Sequence, residues 1–429
     1  MKKFKLYPEV IEYLFSALPM FQRIGQAAFH KDLSRTYALL EALGNPHHSF
    51  PAVHVAGTNG KGTSSHMIAA IMQASGYKTG LYTSPHLKNF TERIKVNGQE
   101  ADQDYILNFV NQNHALIEAV QPSFFEITVA MAFDYFARQK VDIAIVEVGM
   151  GGRLDSTNVL HPLVSLITNI SMDHQQYLGD TLEKIAGEKA GIIKKDSPVV
   201  ISEKQTDLRV VFEQAAARAG TEIYYSQDIY DLDLLKNGYL IRRKGVPFLE
   251  KVYPELKGHY IRKNIPGVLG VLDVLKSKFD QITAESIKHG LENTIRLTGI
   301  KGRWQVLNTE PLSICDTAHN VEGVRMTISH LLTISHRQLW IIWGVVKDKE
   351  LDDIFTLLPA KANYIFCQPN IPRGMAADML MEKAGQFKLQ GRVIPDVNEA
   401  LKTVRQLANN EDLIFVGGST FTVAEIEGL

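Results

Sequence analysis

The run His54-Val-Ala-Gly-Thr-Asn-Gly-Lys-Gly-Thr63 holds the residue types that grip a phosphate. Gly57 and Gly60 let the backbone approach an oxyanion with no Cβ in the way. The N–H groups of Thr58, Asn59, Gly60 and Gly62 can converge on that oxyanion. Lys61 adds a mobile positive charge, and Thr63 offers a hydroxyl to a magnesium ion. Gly62 stands where the common phosphate-binding pattern has a hydroxyl residue, so that pattern alone is matched only in part. The bland alternative is a glycine-rich turn with no ligand.

Other chemistry-bearing residues fall near the ends of apolar runs. Ser84 follows the run 78–82. Glu147 lies near the end of Asp142-Ile-Ala-Ile-Val-Glu-Val148, where a buried carboxylate needs a positive partner. Magnesium would serve, because it prefers oxygen ligands and bridges carboxylate to phosphate. An ion pair with Arg153 or Lys61 is the alternative. His174, taken alone, is best read as a structural hydrogen-bonder. Lys189 shares the apolar stripe of Leu182, Ile185, Ala186, Ile192 and Ile193, so it points inward. Such a lysine must snorkel, pair with a carboxylate or lose its charge. The default is a pair with Glu188 or Glu147; a neutral amine could instead take up carbon dioxide as a carbamate. Asp316 and His319 open a helical pattern, and Arg303 lies just past the linker that precedes them. Each of these three also has an ordinary structural reading, as a helix cap or a surface side chain.

These residues need elements to hold them. Apolar run, glycine-rich turn and the helical pattern Ser64–Ala74 make a strand–turn–helix unit, with the helix dipole aimed at the turn. Strands are expected at 142–148, 163–168, 198–202 and 221–225, and helices at 181–194 and 206–219. Residues 5–44 read as helical up to Gly44-Asn45-Pro46. Asn237-Gly238 and Lys244-Gly245 predict a small antiparallel patch within 232–256. Helices follow over 260–278 and 284–293, and 298–302 is a linker. A second strand–helix series has strands at 312–316, 338–345, 363–367 and 412–416. The fold class is α/β with right-handed crossovers, and ligands should gather at the carboxyl ends of the strands.

The 429 residues suffice for two or three domains. With 46 basic against 47 acidic side chains, the chain is not expected to bind nucleic acid. Two cysteines make neither a disulfide framework nor a cysteine-rich zinc site. No signal-peptide core is present, and no run reaches the roughly 18 apolar residues of a membrane span. A cytoplasmic protein is expected.

In combination, the motifs resemble the folylpolyglutamate synthase/dihydrofolate synthase family of the Mur ligase superfamily. The matching pieces are the glycine-rich turn, Ser84-Pro-His-Leu87, Thr91-Glu-Arg-Ile94, Phe125-Glu126, Glu147-Val-Gly-Met-Gly-Gly-Arg-Leu-Asp-Ser-Thr-Asn158, Asp173-His174, Leu178-Gly179, Ile185-Ala-Gly-Glu-Lys-Ala-Gly-Ile192 and Asp316-Thr-Ala-His-Asn320. The resemblance implies a P-loop ATP-binding domain of the Mur ligase central type over 1–297, and a smaller Rossmann-like ligase domain over 298–429. It implies that Thr58, Asn59, Gly60, Lys61, Gly62 and Thr63 hold ATP phosphates. Asn264, Arg303, Asp316 and His319 would contact the nucleotide from the far side. Ser84, Glu147 and His174 would bind magnesium, which reverses the bland reading of the histidine. Lys189 matches a lysine carbamylated in the family, and would join them as a ligand. Ser123, Phe124, Phe125 and Glu126, with Leu154, Asp155 and Ser156, match segments that hold the pterin.

The implied activity joins L-glutamate to folate or dihydropteroate through an acyl phosphate, with Lys61, His174 and Lys189 as catalytic residues. ATP, two magnesium ions and a candidate monovalent cation are the implied cofactors. The two domains would close over ATP, and a monomer is expected. Departures from the family pattern fall at residues 29–35, at Ile261, and at Thr317 and Val321; they bear on substrate choice. A cell-wall ligase would need more than the ~50 residues before the turn, by the domain sizes such a UDP-binding unit needs. A guanine-nucleotide switch would need an Asn-Lys-x-Asp motif, which the sequence lacks.

Overall fold

A computed structural model of the chain describes residues 3–19, 32–347 and 350–429. The helical stretch expected over 5–44 is broken. Tyr7–Ala17 and Ser34–Ala42 are helices. Pro19 forces Leu18 into extended backbone and so ends the first. Residues 20–31 of that stretch lie outside the described residues.

The chain forms two compact units. Met1–Glu255 and Arg262–Gly299 make the first. Its eight-stranded sheet runs in the order Gln99–Glu100, Ile94–Val96, Thr79–Tyr82, Ile143–Glu147, Ala52–Ala56, Val164–Ile167, Val199–Ile201, Ile223–Tyr225. The last six strands are parallel, and the first two are antiparallel additions at one edge. The central strands are buried along their whole length, which is why they show unbroken apolar runs and no alternation. The register is what matters for function. Val55 lies opposite Glu147, and Ala56 opposite Ile167. The glycine-rich turn, Glu147 and Thr168 therefore leave the sheet at one edge.

The antiparallel patch is a separate three-stranded sheet, Tyr230–Leu235, Gly238–Arg243 and Val246–Val252. Lys244 and Gly245 both have positive φ, as a tight two-residue hairpin requires. The helix Ile261–Leu275 follows.

Leu256–Ile261 and Ile300–Leu429 make the second unit. Its six strands run Gln305–Thr309, Leu312–Cys315, Leu413–Gly417, Leu339–Trp343, Asn363–Phe366, Gly391–Val393. The first and last were not expected from sequence. Both are edge strands, half exposed and poor in apolar residues, so they lack the pattern of a buried strand. Within this unit His330 is stacked between two rings. His259 lies 3.6 Å away and Trp304 3.9 Å, centroid to centroid. No described helix in either unit is long and apolar enough to cross a membrane.

Candidate active site

The glycine-rich turn is braced by the neighbouring strand's end. Thr58 N–H donates to Asn169 O at 2.7 Å, and Asn59 N–H to Asn169 Oδ1 at 3.2 Å. Thr168 Oγ1 donates to Asn59 O at 2.6 Å, and Ser171 N–H to Thr58 Oγ1 at 3.1 Å. A Cβ on Gly57 would sit 1.8 Å from Thr168 Oγ1, so the bracing requires glycine there. Gly60 has φ +86 and would place a Cβ 2.5 Å from Asn264 Oδ1. Lys61 opens the helix Lys61–Ala74, and Thr63 is buried in its first turn. The Lys61 ammonium donates to the carbonyls of Gly57 and Thr58, each at 3.1 Å.

Lys189 is buried on the inner stripe of the helix Leu182–Ala190 with Ile185, Ala186 and Ala190. Its partner is neither carboxylate expected from sequence. Nζ donates to the Gly57 carbonyl at 2.9 Å, and Glu188 is taken by Arg153 at 2.9 Å. The helix turn decides this: Glu188, one residue back, points outward to a half-exposed arginine while Lys189 points in. Burial, and then the charge of Lys61, push the Lys189 amine down to about 7, against the opposing pull of Asp173 and Asp155. A large neutral fraction at physiological pH is what carbamate formation needs.

Glu147 is 5% exposed, and its Oε2 accepts the Ser84 N–H at 3.1 Å. The pairings with Arg153 or Lys61 weighed from sequence are replaced. Arg153 serves Glu188, and Lys61 bonds to carbonyls. A positive group that does act on Glu147 is Arg93, which sequence reasoning missed. Arg93 is buried; burial lowers its affinity for a proton, and Tyr82, Glu147 and Glu92 act to restore it. Its Nε meets His86 Nδ1 at 2.7 Å, and its guanidinium lies 5.2 Å from the Phe124 ring centre. The signal was within Thr91-Glu-Arg-Ile94, but a charged pair beside a turn gives no local sign of burial.

His174 has φ +50 and precedes the short helix Gln175–Leu178. Its Nε2 is 3.9 Å from Asp173 Oδ2. Among the described residues no three His, Cys, Asp or Glu side chains cluster as a metal site. The expected set contains only two such residues, Glu147 and His174; the others are the Ser84 hydroxyl and Lys189, which would have to be carbamylated to serve.

The expected pterin segments are tightly self-bonded. Ser123 N–H donates to Glu126 Oε2 at 2.6 Å and Glu126 N–H to Ser123 Oγ at 3.2 Å, a capping box that starts the helix Phe124–Gln139. Phe124 is buried and stacked on Phe15, with centroids 5.1 Å apart. Asp155 is buried with its oxygens accepting from Met150 N–H at 2.9 Å and Thr157 N–H at 3.0 Å. Ser156 follows it in a single turn of 3₁₀ helix. Phe125 and Leu154, half-buried, are the apolar groups these segments offer outward. Of the first expected pterin loop, 29–35, residues 29–31 lie outside the described residues.

Asn264, in the first unit, is 5% exposed, and its Nδ2 has no acceptor among the described residues. A buried amide that donates to nothing is costly unless a ligand supplies the acceptor. In the second unit, Asp316 follows the strand Leu312–Cys315 and accepts Trp304 N–H at 2.8 Å and Ala318 N–H at 2.9 Å. Burial raises its pKa, and Arg303 opposes that rise. His319 Nδ1 lies 3.1 Å from Thr317 O.

Two family models match the chain. They are the Mur ligase middle domain over residues 55–233 and the Mur ligase glutamate ligase domain over 302–420. The dihydrofolate synthase/folylpolyglutamate synthase of Bacillus subtilis is 32% identical, covering 92% of this chain and 94% of its own. A probable bifunctional folylpolyglutamate synthase/dihydropteroate synthase of Haloferax volcanii is 30% identical, and this chain spans only 50% of its length. Among solved structures, E. coli FolC in complex with DHPP and ADP superposes with a TM-score of 0.87 at 25% identity, over 99% of this chain and 97% of that one. The Yersinia pestis bifunctional folylpolyglutamate synthase/dihydrofolate synthase complexed with AMPPNP and Mn ion gives 0.86 at 28%, over 99% and 98%. Taken with the sheet edge described above, these matches make the chain an ATP-dependent ligase of the folylpolyglutamate synthase/dihydrofolate synthase family, within the Mur ligases.

Proposed function

We propose that this protein joins L-glutamate to dihydropteroate, to a folate, or to both, through an acyl phosphate. The observation that carries the reading is the convergence at one sheet edge of the phosphate-gripping turn, the Lys61 and Lys189 amines and the Ser84–Glu147 pair. A carboxylate oxygen of the pteroate or folate attacks the γ-phosphorus of ATP, and ADP leaves. The glutamate amine then attacks the acyl carbon, and phosphate departs with the proton released to solvent. The backbone N–H groups of Thr58 to Gly62 hold the phosphates, and Lys61 offsets the charge that builds on them. Asn264, in the same unit as the turn and with a buried Nδ2 that lacks an acceptor among the described residues, contributes a further nucleotide contact. Phe125, Leu154 and the capped segments around them orient the pterin.

Magnesium fits the donor set: the buried Glu147 carboxylate, the Ser84 hydroxyl, the His174 imidazole and a carbamate on Lys189. When bound, it supplies charge neutralisation for the transferring phosphoryl group. A second ion, a monovalent cation, a division of labour at 297/298, a monomeric state and a cytoplasmic site of action belong to the same reading. Incubation with ATP, glutamate and either dihydropteroate or tetrahydrofolate tests it. Glutamate-dependent product with one or both pterins is expected; phosphate release indifferent to both would refute it.

A further inference from the structure

The residues Thr83 to Asn89, which carry Ser84, link the strand Thr79–Tyr82 to the short helix Phe90–Arg93. Two adjacent residues of that helix hold them from both ends. The Arg93 carbonyl accepts the Thr83 N–H at 3.1 Å, and its side chain meets His86. Glu92, 9% exposed, takes the other end. Its Oε2 accepts the Leu87 N–H at 2.7 Å, while Oε1 accepts those of Lys88 and Asn89, both at 2.9 Å. Three consecutive backbone donors thus converge on one carboxylate. Ser84 lies between the two anchors, with its own N–H on Glu147.

We propose that Glu92 is a positioning residue: its carboxylate fixes this loop so that Ser84 stays registered against Glu147, and so sets how tightly the nucleotide's divalent ion is held. The inference rests on the reading of Ser84 and Glu147 as metal ligands. Both oxygens of Glu92 are occupied by backbone N–H groups of the loop, so its part is to position and not to ligate. A carboxylate is needed, not merely a polar group. Both oxygens act as acceptors, so a glutamine in either orientation would turn its NH2 toward at least one of the three N–H donors.

The test measures AMPPNP affinity of the full chain by calorimetry, once with saturating Mn2+ and once in EDTA. In wild type, Mn2+ should tighten binding. In Glu92→Gln the EDTA value should stay within about twofold of wild type, because the glycine-rich turn is untouched. The Mn2+-dependent gain should shrink about tenfold, as expected for losing a charge-assisted hydrogen bond. Glu92→Asp, which keeps the charge but shortens the reach, should fall between. If Glu92→Gln does not fold, the Asp variant carries the test, with amide exchange at Leu87, Lys88 and Asn89 in wild type slowing on addition of Mn2+ to the AMPPNP complex. A merely structural brace would lower the melting temperature and leave the Mn2+-dependent gain intact, and that result would overturn the proposal. A wild type with no Mn2+-dependent gain would instead remove the metal reading on which it stands.

Discussion

Lys61 and Lys189 donate to a single acceptor, the carbonyl oxygen of Gly57, at 3.1 and 2.9 Å. Two ammonium groups on one oxygen repel each other, and that repulsion adds to burial in lowering the pKa of Lys189. An anion bound at the turn would relieve that repulsion. Conversion of Lys189 to a carbamate would reverse its sign altogether.

Without carbon dioxide, the folded-state pKa of Lys189 is about 7, below its ordinary 10.5. Between those values the unfolded chain binds more protons, so this residue makes the protein more stable as pH rises from about 7. Melting temperatures of wild type minus Lys189→Met, in carbon-dioxide-free buffer, should therefore increase from pH 6 to pH 9. Ligation by the Met variant should fall at least ~100-fold, the scale of losing one preorganised charge.

Removing Lys61 acts on both partners. Lys61→Met should lower phosphoryl transfer by ~10²–10³, typical of losing one transition-state donor. It should also raise the Lys189 pKa, since a repelling charge is gone. Carbon-13 NMR of labelled bicarbonate uptake would then show the carbamate forming at higher pH than in wild type.

Asn264 offers a test in which stability and binding move apart. Its buried Nδ2 has no acceptor, so Asn264→Ala should change the apo melting temperature little. Nucleotide affinity should nevertheless fall by roughly tenfold, equivalent to one hydrogen bond of about 1.4 kcal/mol. Gly60→Ala should disturb the same place from the other side, through its +86° φ and its 2.5 Å approach to Asn264 Oδ1. Calorimetry with ATP and thermal melts check both.

Asp155→Asn should destabilise by about 1–3 kcal/mol, because an amide cannot accept on both sides as the carboxylate does. Pterin affinity should weaken with it, since the segment holding Leu154 and Ser156 loses its anchor. Urea unfolding and a pterin titration would separate the two effects.

Much of this arrangement was legible in the chain. The strand–turn–helix at 52–74 and the burial of Glu147 and Lys189 follow from apolar periodicity, and the structure has them as expected. What the side chains bond to was less legible. Lys189 finds a carbonyl contributed by a turn 132 residues away, a partner no local pattern encodes. Arg93 lies among charged neighbours that would ordinarily mark a solvated surface, and only the sheet brings Tyr82 and Glu147 against it. The strands Gln305–Thr309 and Gly391–Val393 escaped notice because an edge position asks little of their side chains.

The stack of His259, His330 and Trp304 joins residues from two separated stretches of chain within the second unit. A fragment starting at Ile300 would keep Trp304 and His330 but forfeit His259, leaving one face of the middle ring bare. Anyone transplanting this module between ligases must therefore carry over the distant hexapeptide Leu256–Ile261 as well, because the module is not encoded in one piece.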